Sequence, residues 1–132
     1  MMQKQLNVLI CDDSVLIRKK LKNILEVCKC HSIEEAEDGI AAIQKAKEMK
    51  PDLIFMDIVM PGKDGIEALE EIMNENPALK VVMASSAGTQ SHLKQALDLG
   101  AYDFIQKPIT LEAVTAIIEK IIKEEKGVSA NV

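Results

Sequence analysis

The sequence predicts an α/β fold, a doubly wound parallel sheet of five strands with helices on both faces. Five short apolar runs alternate strictly with five segments of helical periodicity, the pattern of repeated strand–helix crossovers. Several of the runs are apolar at almost every position, as in strands covered on both faces. At 132 residues the chain is the size of one domain able to bury a core. Residues 1–126 are assigned to that domain, and Gly127–Val132 to a short polar tail that composition predicts to be flexible.

The elements follow in order. Leu6-Asn7-Val8-Leu9-Ile10-Cys11 reads as the first strand and stops on Asp12 and Asp13. Ile17, Leu21, Ile24, Leu25 and Cys28 mark one face of the first helix, with Ser14 or Asp13 placed to cap it. Ser32 to Ala36 is a polar strand suited to a sheet edge. Ile40, Ile43 and Ala46 give the second helix, which Lys50-Pro51 stops. Leu53 to Asp57 is the third strand, and Met60-Pro61-Gly62-Lys63-Asp64-Gly65 a loop by its Pro and Gly content. Ile66, Leu69, Ile72 and Met73 face inward from the third helix, which ends near Asn76-Pro77. Val81 to Ala84 is the fourth strand, opening into the loop Ser85-Ser86-Ala87-Gly88. Leu93, Ala96 and Leu97 mark the fourth helix, stopped at Gly100. A short strand, Asp103 to Gln106, precedes Lys107-Pro108, and Leu111, Val114, Ile117, Ile118, Ile121 and Ile122 line the last helix.

Composition excludes several function classes. A net charge of -5 argues against non-specific nucleic-acid binding, which needs a basic face. No apolar run approaches the roughly 18 residues of a membrane span, and Met1 to Asn7 lacks a signal-peptide pattern, so a cytoplasmic location is expected. Cys11, Cys28 and Cys30 are an odd number at irregular spacing, which disfavours a disulfide framework. Cys28-Lys29-Cys30-His31 lacks the second ligand pair of a closed zinc site. With only 2% aromatic residues among 48% apolar ones, the core must be packed from aliphatic side chains and Met.

Function in such sheets sits at the carboxyl ends of the strands. Asp12, Asp13, Asp57, Ser85 and Lys107 all follow strands and so converge on that edge. Three carboxylates there repel one another unless a cation joins them, and oxygen ligands in a partly hydrated site suit Mg²⁺. Any one of these residues has an ordinary reading as a cap, turn or surface residue; their joint occurrence at one edge points to phosphate chemistry.

Asp12-Asp13, Glu34-Glu35-Ala36-Glu37-Asp38-Gly39, Asp57 with Met60-Pro61 and Asp64-Gly65, Ser85, and Lys107-Pro108 together resemble the receiver domains of two-component response regulators. Within that family they are most similar to the stand-alone chemotaxis regulators. The resemblance implies a flavodoxin-like sheet in the order 2-1-3-4-5, an order that periodicity does not supply. It implies that Asp57 is the phosphoacceptor, with Lys107 and Ser85 contacting the phosphoryl group. Asp13, Asp57 and the carbonyl of Val59 would hold Mg²⁺, with Asp12 acting through water. It implies a cis Lys107-Pro108 bond and a switch formed by Ser85 and Phe104. Phe104 stands where many chemotaxis members carry Tyr, which keeps the aromatic ring and removes its hydroxyl contact. Val59 and Ala87 occupy positions where some relatives carry side chains that orient water; neither can do so here, so slow self-dephosphorylation is expected.

The implied partners are a sensor histidine kinase, a flagellar motor switch or other output protein, and in some systems a phosphatase. Arg18, Lys19 and Lys22 offer a kinase-docking surface. Gln90, His92, Lys94, Gln95, Tyr102, Gln106 and Lys120, on the fourth helix, fifth strand and fifth helix, offer an output face. The chain is expected to act as a monomeric phosphoacceptor switch that assists its own phosphorylation and dephosphorylation, not as an enzyme acting on other substrates. A phosphorelay intermediate passing phosphate to a histidine protein is the alternative. A phosphatase is disfavoured by Val at position 59, and flavin binding by Asp12-Asp13 after the first strand and by few stacking aromatics.

Overall fold

In a computed structural model describing residues 6–125, five parallel strands run in the order β2-β1-β3-β4-β5. The elements are β1 (Asn7–Cys11), α1 (Val15–Val27), β2 (Ser32–Ala36), α2 (Gly39–Met49), β3 (Leu53–Asp57), α3 (Gly65–Glu75), β4 (Lys80–Ser85), α4 (Leu93–Asp98), β5 (Asp103–Gln106) and α5 (Leu111–Glu125). The expected tail, Gly127–Val132, lies outside the described residues. The doubly wound sheet and its order agree with the sequence expectation.

Alternation along the strands divides the core in two. Val8, Ile10, Leu53, Phe55, Val82 and Ala84 pack against α1 and α5 through Leu21, Leu25, Val114, Ile117, Ile118 and Ile121. Leu9, Cys11, Ile54, Met56, Val81 and Met83 face α2, α3 and α4. Because β1, β3 and β4 are covered on both sides, their sequences are apolar except for polar residues at their ends. β2 and β5 form the edges, which explains the polar residues of both.

Local signals set the helix boundaries. The backbone N–H of Ile17 donates to Ser14 Oγ at 3.2 Å, so Ser14 and not Asp13 caps α1. Asp38 caps α2 through the N–H of Ala41, and Asp64 with Glu67 forms a reciprocal capping box on α3. α2 ends at Lys50 in the left-handed conformation, immediately before Pro51.

Three expectations need correction. Ile40 is 64% exposed, since α2 meets the sheet side through Ala42, Ile43 and Ala46. The polar stretch after β4 is not open loop: Ala87–His92 forms a 3₁₀ turn leading into a short α4. On α4, Ala96 is buried but Leu97 is exposed, and Leu111 at the start of α5 is exposed as well.

Phe55 is the largest fully buried side chain. Phe55→Ala is expected to cost about 3–5 kcal/mol of unfolding free energy, measurable by urea denaturation. A cost under about 1 kcal/mol would mean that the surrounding aliphatic core collapses into the space.

Candidate functional site at the carboxyl edge of the sheet

Strand register assembles the site. Cys11 pairs with Met56, so Asp12, one residue on, comes alongside Asp57; Asp57 pairs with Ala84, which places Ser85 just beyond. Ser85 pairs with Gln106, and the N–H of Lys107 donates to the Ser85 carbonyl at 2.7 Å. Four residues remote in sequence thus end on one rim, in the crevice where strand order reverses between β1 and β3.

A single ammonium ties the acids together. Lys107 Nζ lies 2.9 Å from Asp12 Oδ2 and 3.3 Å from Asp57 Oδ2, and the Lys107-Pro108 bond is cis. Burial opposes the charge on Lys107, but its hydrogen bonds to both carboxylates and their negative charge outweigh that and raise its pKa. Asp57 shifts upward too, through burial first and then the charge of Asp12, with Lys107 and the N–H of Val59 only partly compensating.

Asp12, Asp13 and Asp57 each offer a carboxylate oxygen within 4.8 Å of the others. This all-oxygen set fits a hard divalent ion such as Mg²⁺, which tolerates retained water in an open site. Asp12 is buried and already engaged, its Oδ1 accepting from the N–H of Ser14 at 2.9 Å. Asp13 is exposed and makes no hydrogen bond or ion pair among the described residues, which leaves its carboxylate available. Val59, two residues after Asp57, is 57% exposed.

The walls are narrow by construction. A Cβ on Gly65 would lie 2.0 Å from the carbonyl oxygen of Asp57, and one on Gly39 would lie 2.0 Å from that of Lys63. Only glycine lets the loop after β3 close so tightly, and the N–H of Gly65 donates to the Ile58 carbonyl at 2.8 Å at its neck. Ser85 is fully buried, yet its Oγ has no hydrogen-bond partner. An unpaired buried hydroxyl costs free energy, and strand register puts Ser85 one residue beyond the partner of Asp57.

The structure therefore brings together Asp12, Asp13, Asp57, Ser85 and Lys107, all singled out from the sequence. Phe104 stands apart: it is 41% exposed on the edge strand and belongs to neither core cluster. Arg18 also differs from expectation. Its guanidinium is turned into the rim, bonded to the carbonyl of Asp12 and to Glu35, and so is not a free docking cation. No spacing rule could reveal this, because Glu35 arrives from β2.

Residues 8–119 match the family model described as the response regulator receiver domain. The chain belongs to that family. It is 42% identical over 118 residues to the chemotaxis protein CheY of Listeria monocytogenes, covering 89% of this chain and 99% of that protein. It is 46% identical over 110 residues to a protein-glutamate methylesterase/protein-glutamine glutaminase of Caldanaerobacter subterraneus, covering 81% of this chain and 30% of that one. Among solved structures, the receiver domain of NtrX from Brucella abortus superposes with a TM-score of 0.81 at 34% identity, covering 89% of this chain and 98% of that chain. The receiver assignment and the CheY-like character thus rest on the whole domain. No described helix is long and apolar enough to cross a membrane.

The raised pKa of Asp57 has a stability consequence. The folded chain holds that proton more tightly than the unfolded chain, whose carboxyl titrates near about 3.9. Its stabilising contribution is therefore full below the unfolded value and is lost as pH rises through the folded one. Asp57→Asn is expected to raise the metal-free thermal midpoint near neutral pH, with the gain shrinking as the pH falls into the carboxylate range. An unchanged midpoint at neutral pH would show that Lys107 fully offsets the Asp12–Asp57 repulsion.

Proposed function

We propose that this receiver domain is a Mg²⁺-dependent phosphoacceptor switch in which Asp57 takes a phosphoryl group from a histidine kinase or a small acyl phosphate. The observation that carries the reading is Lys107 bridging Asp12 and Asp57 at the rim where Ser85, its hydroxyl unpartnered, ends β4. A carboxylate oxygen of Asp57 attacks phosphorus as the bond to the donor's nitrogen or oxygen breaks, and the leaving imidazole or carboxylate keeps that electron pair. Lys107 then pairs with phosphoryl oxygens and Ser85 donates to one of them. Asp13, Asp57 and the Val59 carbonyl, with Asp12 acting through water, would hold Mg²⁺, which would neutralise charge on the transferred group.

Output follows if the acyl phosphate biases a two-state element. Ser85 ends β4, and Phe104 lies on the paired strand opposite Met83, so movement of one bears on the other through a single ladder. Phe104 is exposed on β5, and the surface of α4, β5 and α5 serves as the output face. A chemotaxis target in the cytoplasm is the reading that the near-complete overlap with a CheY protein favours. The domain assists its own phosphorylation and dephosphorylation and turns over no external substrate.

Incubation with Mg²⁺ and acetyl phosphate should add one phosphoryl mass to the intact native chain and none to Asp57→Asn. Addition that persists in the variant, or that proceeds equally in excess chelator, would overturn the assignment. Val59→Asn should shorten the lifetime of the phosphorylated form, because an exposed amide beside the site can orient water where Val cannot. Measured loss of label that is equal or slower in Val59→Asn would remove that argument.

A further inference from the structure

Arg18 lies on the first turns of α1, where sequence alone suggests a solvated charge. Its side chain is only 12% exposed. Nη1 donates to the backbone carbonyl of Asp12 at 2.7 Å, and Nε donates to Glu35 Oε1 at 2.9 Å. The planar guanidinium can serve both partners from one fixed orientation, which an ammonium cannot. Lys22 lies 3.8 Å from Glu35 Oε2 and holds the acid from its other side.

The rest of Asp12 is secured by other elements. Its N–H donates to the Ala36 carbonyl at 3.1 Å, Oδ1 accepts from Ser14 and Oδ2 from Lys107. Its carbonyl belongs to the peptide leading into Asp13, and Arg18 is its hydrogen-bond donor. Since Asp13 has no side-chain partner among the described residues, the direction of its carboxylate depends on how that peptide is held.

We propose that Arg18 is a positioning residue for the divalent cation: it fixes the Asp12–Asp13 peptide, and Glu35 from β2 fixes Arg18. This rests on reading the acid cluster as a Mg²⁺ site. Two effects of Arg18 oppose each other, which makes the inference testable. As a nearby positive charge it weakens cation binding; as a positioning group it strengthens it. Removing it as a pure charge would tighten Mg²⁺.

The test is a calorimetric Mg²⁺ titration of the full chain, its Arg18→Met, Arg18→Lys, Glu35→Gln and Asp13→Asn variants, with thermal midpoints recorded in chelator. Arg18→Met is expected to bind Mg²⁺ about tenfold more weakly, in line with the loss of groups that orient metal ligands. Arg18→Lys should fall between, and Glu35→Gln should weaken binding by loosening the Arg18 side chain. Labelling by acetyl phosphate, which needs no docking partner, should recover in Arg18→Met at saturating Mg²⁺. Unchanged or tighter binding in a folded Arg18→Met overturns the inference. Should that variant fail to fold, unchanged binding in Glu35→Gln does so instead. Absence of Mg²⁺ binding by the native chain, or binding unaffected by Asp13→Asn, overturns the metal-site reading and with it the role of Arg18.

Discussion

Three carboxylates are confined to one rim because the strands that deliver them are neighbours in register, and one lysine ammonium sits between two of them. Much of the local structure follows from that confinement. Water is largely excluded from Asp12 and Asp57, so their mutual repulsion is poorly screened. Lys107 offsets part of it and is raised in pKa by doing so, while Asp57 remains shifted toward its protonated form. A repulsion between Asp12 and Asp57 thus remains that an added cation would offset.

The surroundings keep that arrangement from relaxing. Asp12 is bonded through its N–H, its carbonyl and both carboxylate oxygens, to β2, α1, the α1 cap and Lys107. The loop after β3 is closed against Asp57 by Gly65 and against α2 by Gly39. A rim held this way would keep its side chains in place for a ligand without spending binding energy to order them. Asp13 and the hydroxyl of Ser85 are the groups left uncommitted, and both are the groups that a cation and a phosphoryl oxygen would need.

Rigidity on one side contrasts with irregularity on the other. α1, α2, α3 and α5 run 11 to 15 residues, whereas α4 has six and follows a 3₁₀ turn. Short helices with few buried side chains have little packing to hold them, and on α4 only Ala96 is buried. This segment directly follows Ser85. A change at the hydroxyl would therefore be passed to a lightly packed segment.

The sequence by itself determined the alternation of elements, the apolar character of the buried strands, the two candidates for the α1 cap, and the residues that gather at the rim. These are legible because strand burial, helix periodicity and capping are short-range patterns, and because function at strand ends follows from the sheet class. Which strand lies beside which came with the family resemblance, since periodicity carries no pairing information. Tertiary structure alone decided that Ser14 outcompetes Asp13 as the cap, that Ile40 faces solvent, and that Phe104 is outside the core. It also decided the orientation of Arg18: a helix face has no inherent inside for a cation until a neighbouring strand supplies the carboxylate that turns it inward.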